Sequence, residues 1–293
     1  MVLKTIFMLA LPLFSAAHAA AGEEAGTPPR DDAQWVYIAT ADIPAGRYNV
    51  NHEAAFKKYT AGYDTYVLKA IDIVQAHAMD GGGYFTGLKA VPVESPIGYQ
   101  LGLFGKPLLA PARTSSYCSG STYGVLIEAL DLIFPDGGGR LSPERYEALR
   151  MQEADGGRRE DGVKFWGKWN DDGWGSNYAL VQYSGMGEDI APEQARPGDF
   201  MNISWKSGAG HSVVFLGWYR KDGERGLVYW SSQKGTNGFA DVVCPLAKIE
   251  SVRIVRLTHP ENVFVFDVAK QVNRALPGDV LEAPVVSTGT KTI

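Results

Sequence analysis

Apolar residues recur at spacings of three and four in the first half of the chain and in short alternating or unbroken runs in the second, so helices precede strands. Phe56, Tyr59, Tyr63, Tyr66, Val67, Ala70, Ile73, Val74 and His77 mark a long helix from Glu53 to Met79, which Asp80-Gly81-Gly82-Gly83 stops. On that pattern His77 is a partly buried helix-face residue. Thr122, Val125, Leu126, Ala129, Leu130 and Ile133 give a second helix one buried stripe, with Glu128 off it and Ser115 or Ser116 as the N-cap. A third helix is expected over Pro143 to Glu153. Trp35–Ile38 reads as a short strand or docked arm, and residues 84–113 have no clean period.

Strands are predicted at Asp199 to Trp205, Ser212 to Tyr219, Gly226 to Ser232, Val252 to Leu257 and Val263 to Phe266, with Lys221-Asp222-Gly223-Glu224 as a hairpin turn. Helices followed by a run of antiparallel strands make an α+β arrangement.

The first 19 residues change the picture. Lys4, the uncharged run from Thr5 to Phe14 and Ala17-His18-Ala19 fit a secretory signal peptide cut after Ala19. A periplasmic or secreted, monomeric protein is therefore expected. The apolar run is too short to span a bilayer, and no later stretch reaches the roughly 20 apolar residues a membrane span needs. About 270 residues remain, enough for one large core with additions. The formal charge of −5 and the scattered Lys and Arg give no nucleic-acid-binding surface, and 45% hydrophobic content excludes a disordered chain. The five histidines lie far apart and no C-x-x-C or H-x-x-x-H spacing occurs, so neither a metal nor a cofactor is expected. His52, at a helix entry, and His259, in a turn, receive no role.

One of only two cysteines, Cys118, stands where the second helix begins. A helix N-terminus favours negative charge, so a thiol there is expected to ionise readily. The plainer alternative in an exported protein is a disulfide with Cys244, although Cys244 in Ala240–Leu246 looks like a small buried hydrophobe at a strand end. His211 opens the strand Ser212 to Tyr219, where an imidazole at the sheet's rim can act as a base. Gln233, in the strand after the hairpin, is the first choice to orient that imidazole, with Ser231, Ser232 and Asn237 as alternatives. Tyr117 and Ser119 beside the thiol, Trp174 and Ser231 are the expected substrate contacts. Residues 165–175 carry three tryptophans on a glycine-bearing loop, which either line a cleft or pin the loop to the core.

Cys118-Ser119-Gly120 at a helix start, Pro197-Gly198-Asp199-Phe200 before a strand, and His211 with Val213-Val214-Phe215-Leu216-Gly217 together resemble the NlpC-type, papain-like cysteine peptidase superfamily of bacterial cell-wall hydrolases, to which CHAP amidases are related. The resemblance covers about residues 112 to 240. It implies a papain-like core of a helix bundle packed on an antiparallel sheet, and a Cys118/His211/polar triad that cleaves amide bonds of peptidoglycan stem peptides through a thioester. The chain departs from the pattern: Tyr117 replaces the usual Asp before the nucleophile, no His stands at the third position, and residues 135–194 lengthen the cysteine-to-histidine separation.

The expected organisation is a signal peptide (1–19), an N-terminal helical extension or lobe (20–111), the hydrolase core (112–267) with an insertion (135–194), and a mobile tail (268–293). Two rival functions share the site: the same dyad acting on a non-wall amide or ester, perhaps as a toxin, or a catalytically silent relative that binds wall peptides through the tryptophan-bearing insertion.

Overall fold

The computed structural model describes residues 35–38, 51–77, 82–91, 94–111, 113–151, 165–166, 174–273 and 276–281, all within one compact unit, Gln34–Ile293. The expected signal peptide lies outside the described residues. The fold is mixed α+β, with a six-stranded antiparallel sheet.

The helix expected over Glu53 to Met79 is two helices, α1 (His52–Phe56) and α2 (Asp64–Ala76). Gly62, in the left-handed region at φ 53°, lies in the break, and the Asp64 carboxylate accepts the Ala61 N–H. His77 ends α2 exposed, stacked on Tyr99 at 4.0 Å. Residues 84–113, which showed no period, contain the hairpin β1 (Leu101–Leu103) and β2 (Lys106–Leu109). Its turn residues Phe104 and Gly105 both have positive φ, and Asp131 accepts the Phe104 N–H at 2.5 Å, so a half-buried carboxylate supports a conformation that Phe rarely adopts.

Helix α3 (Cys118–Ile133) is buried on nearly every side of its first three turns. The third expected helix is shorter than predicted: α4 (Pro143–Ala148) starts from a Ser142 cap. Arg150, just past its end, turns to donate to the Leu108 carbonyl.

The sheet is built from β3 (Gly187–Asp189), β4 (Phe200–Trp205), β5 (Gly210–Lys221), β6 (Glu224–Gln233), β7 (Gly238–Pro245) and β8 (Ile249–Leu257), in the order β3-β8-β4-β5-β6-β7. Alternation along the strands divides two apolar faces. Val214, Leu216, Val228, Trp230 and Val255 share a core with α2 and α3, while Met201, Ile203, Val213, Phe215, Leu227 and Tyr229 form a second cluster. Each fully buried Val, Leu or Ile contributes roughly 1.5–3 kcal/mol.

Several expectations change here. Val263–Phe266 is no strand: Pro260–Phe264 is a 3-10 turn whose Val263 and Phe264 fold into the core. The N-terminal helices are not a separate lobe, because Val67, Leu68, Ile71 and Val74 of α2 belong to the same core as α3 and the sheet. The expected insertion likewise supplies an edge strand, β3, and core residues Tyr178, Leu180 and Tyr183 from a π-helical turn, Asn177–Tyr183. The tail is docked as far as it is described. Asp279 exchanges two backbone hydrogen bonds with Val252 of β8, at 2.7 and 2.9 Å, while residues 282–293 lie outside the described residues. The arm at Trp35–Ile38 holds as expected: it hydrogen-bonds along β5 at Trp218, and Trp35 meets the Trp218 ring edge-on.

Candidate active site

Cys118 is the first residue of α3, one place after the extended Tyr117. Neither Ser115 nor Ser116 caps the helix. Tyr117 holds the cap position but its side chain does not cap the helix N–H groups, and Ser116 donates instead to Ser232 Oγ on β6 at 2.7 Å. A layer of hydroxyls then joins the helix to the sheet. Thr122 Oγ1 meets Ser212 Oγ at 2.8 Å and accepts the Trp166 indole N–H at 3.0 Å, and the Ser232 N–H donates to Ser121 Oγ at 3.3 Å. Short polar side chains let the helix start close to the strands, and each net hydrogen bond adds about 1 kcal/mol. Gly120 has its own reason. A Cβ there would stand 2.2 Å from the Pro96 carbonyl oxygen, so only glycine lets the segment before β1 cross the first turn.

The sulfur lies against the peptide that joins His211 to Ser212. The backbone N–H of Ser212, those of Ser119 and Cys118, and the Tyr117 side chain all act on it in favour of the thiolate. His211, second residue of β5, is partly buried and brings Nε2 to 3.4 Å from Gln233 Oε1. The amide of Gln233 is oriented by its own contacts. Its nitrogen donates to Thr236 Oγ1 at 2.8 Å and the Ala240 carbonyl at 3.4 Å, which turns the oxygen to the imidazole. With that oxygen accepting, Nε2 carries the ring proton and Nδ1 keeps its lone pair. Trp205 and Tyr229 flank the ring, with centroids 6.1 and 5.6 Å away.

Pro197-Gly198-Asp199 sets the register of the strand that bears His211. The Asp199 carboxylate accepts both Arg256 Nε and Nη2 at 2.8 Å and the Arg196 N–H at 2.7 Å, while its carbonyl takes the Phe215 N–H. Gly198 stands at φ 107° against Asp64 of α2, where a Cβ would come within 2.5 Å of the Asp64 Cβ. Burial and the neighbouring Asp199 charge push the Asp64 carboxyl well above its ordinary range. The motif is thus a structural clamp between α2, β4 and β8.

The thiol does not ionise as readily as its helix position suggested. Burial pushes the Cys118 pKa above its ordinary value and outweighs the N–H groups aimed at it. Burial also lowers His211 to about 4, against a weak opposing effect of Gln233. At neutral pH the site therefore holds a neutral thiol and a neutral imidazole. Both cysteines are free, so the disulfide alternative is excluded.

Among the other expected contacts, Tyr117 is buried beside the sulfur and packs on Tyr84 at 5.8 Å. Ser119, Ser231 and Trp174 are packing residues instead. Ser119 is fully buried and donates to Ser95 Oγ at 2.8 Å, Ser231 is fully buried and donates to the Ser212 carbonyl at 2.7 Å, and Trp174 joins the helix-side core. Of the three loop tryptophans, Trp166 is fully buried and Trp169 lies outside the described residues, so the described two pin the loop to the core. The sequence reading missed Tyr84 and Tyr229. A charge on Cys118 opposes ionisation of both phenols, which burial already holds in the protonated form. Tyr84 lay in the segment without a period, and nothing local marked it.

No set of three or more His, Cys, Asp or Glu side chains among the described residues is arranged to hold a metal ion, and no described helix is long and apolar enough to cross a membrane. Comparison with protein-family models, curated proteins and solved structures finds no match to this chain.

Proposed function

We propose that the chain is an exported thiol hydrolase that cleaves amide bonds through Cys118, His211 and Gln233 in a papain-like arrangement, with peptidoglycan stem peptides as the substrate class. The supporting observation is the sulfur at a helix N-terminus against the His211–Ser212 peptide, with His211 Nε2 met by the Gln233 amide oxygen. The substrate class rests on the resemblance of the three motifs and on the leader-like N-terminus.

In this mechanism the Cys118 sulfur attacks the amide carbonyl as its proton passes to His211 Nδ1, the ring nitrogen not engaged by Gln233. The tetrahedral oxyanion rests against the Cys118 N–H and the protonated Tyr84 hydroxyl. Imidazolium then donates its proton to the leaving amine, the C–N bond breaks, and a thioester remains. Water, deprotonated by His211, releases the acid and restores the thiol. Because the resting pair is neutral, proton transfer accompanies attack instead of preceding it. An amide oxygen holds the imidazole in its tautomer but adds less stabilisation to imidazolium than a carboxylate does.

Mass spectrometry of purified sacculi after digestion tests the reading. Wild-type protein is expected to release new stem-peptide fragments, and Cys118→Ala protein none. Turnover of another amide or ester that requires Cys118, with no wall fragment, would keep the dyad and reject the substrate. Absence of any Cys118-dependent turnover would reject the hydrolase.

A further inference from the structure

A cavity of about 510 Å³ opens on the sheet face opposite α3, walled by Trp205, Tyr229, Val242 and Cys244 and rimmed by Lys206 and Lys248. Its size falls within the roughly 300–1,000 Å³ of small-molecule sites. Two features tie it to the candidate centre. Trp205 and Tyr229, which form its wall, are the two rings packed against His211. Tyr229 also responds to charge on both Cys244, inside the cavity, and Cys118.

The charge at the rim has one sign. Lys206 and Lys248 are joined through their backbones, Lys206 N–H to Lys248 carbonyl at 3.1 Å, so both ammonium groups start from one point. Lys248 is close enough to Cys244 to favour its thiolate. No acidic side chain lines the cavity, and neither lysine forms an ion pair among the described residues. An aromatic and aliphatic wall under two unpaired ammonium groups suits a ligand with an apolar body and a terminal carboxylate, since burial of the body and a charge-assisted bond to the lysines act on one molecule.

We propose that this cavity is a substrate subsite that takes the carboxylate-bearing, apolar end of a peptide-like substrate and seats it beside His211. The proposal builds on the hydrolase reading, naming the part of the substrate recognised. Wall stem peptides and other acylated amino acids share that chemistry, and the subsite selects the free carboxylate in either.

Titration calorimetry on full-length Cys118→Ala protein, where no turnover can occur, tests it with N-acetyl-phenylalanine and its uncharged amide. The acid is expected to bind at least tenfold tighter than the amide, and the double variant Lys206→Ala/Lys248→Ala to erase that preference. In wild-type protein the same acid is expected to slow iodoacetamide alkylation of Cys244 and to shift the His211 imidazole resonance. Equal binding of acid and amide, a preference that survives loss of both lysines, or an unshifted His211 would each overturn the subsite. All of these readouts are independent of catalysis, so a failed sacculus digestion leaves them intact and a failed titration leaves the dyad intact.

Discussion

Two histidines of this chain sit in similarly dry surroundings and are pushed in opposite directions. His52 is fully buried, with Nδ1 at 2.6 Å from Asp72 and Nε2 at 2.8 Å from Asp241. Burial alone would lower its pKa, but the hydrogen bonds its ring donates to Asp241 and Asp72, and the charges of those carboxylates, raise it to about 9. Among the described residues the polar group that meets the His211 ring is the neutral amide of Gln233, so burial wins and its pKa falls to about 4. The partner decides the outcome. Two carboxylates hold an imidazolium at neutral pH that bolts α1 and α2 to β7. One amide leaves a neutral ring, one residue along the strand from the Ser212 N–H that meets the Cys118 sulfur.

The sharpest way to break this comparison is to delete each ring and read both activity and stability. His211→Ala is expected to lower turnover by roughly 10²–10⁴-fold, the range for loss of a general base, with little change in unfolding midpoint. Cys118→Ala should abolish turnover, again in a folded protein. His52→Ala should do the reverse. It strands two carboxylates around an apolar gap and is expected to cost about 3–5 kcal/mol in denaturant unfolding, while the protein that remains folded turns over normally. Equal effects of the two deletions on turnover would end the distinction.

A smaller effect follows from pH. The folded pKa of His52, about 9, lies above its ordinary 6.5, so the stabilisation is complete below pH 6.5 and is lost as pH rises through 9. The loss is on the order of 3 kcal/mol, and denaturation midpoints measured from pH 6 to 10 should record it in wild type and not in His52→Ala. The sign is opposite for His211. Its folded pKa is depressed, so its neutral burial costs stability only as pH falls below 6.5 toward 4, and its base form persists across that range.

The smallest expected effect converts one site toward the other. Gln233→Glu places a carboxylate on His211, and its imidazole titration, followed by NMR, should move upward from about 4 by a unit or more. A midpoint that stays near 4 would mean that burial, not the partner, sets this ring.

These contrasts also explain what could be read in the chain. A cysteine opening an amphipathic helix and a histidine opening a buried strand are local patterns, and from them folding set the Cys118 sulfur against the Ser212 N–H and His211 against Gln233. The direction of the thiol's pKa was not legible, because burial depends on the packing of Tyr117 and the segment before β1. His52 could not be read either, since its partner Asp241 lies 189 residues away and is set only by sheet order. The β1–β2 hairpin escaped because its turn places Phe104, a residue without turn propensity, at positive φ with help from distant Asp131. The alternation at Val263–Phe266 failed for a related reason, as Pro260 begins a 3-10 turn there.

The account depends on a thioester forming at Cys118 with His211 as its base. Incubation with p-nitrophenyl acetate, followed by peptide mass spectrometry, measures that step without knowledge of the natural substrate. An acetyl group on Cys118 that turns over in wild type, and forms at least a hundredfold more slowly in His211→Ala, is the expected result. Acetylation spread over surface residues, or a Cys118 that acetylates equally fast without the imidazole, would contradict it.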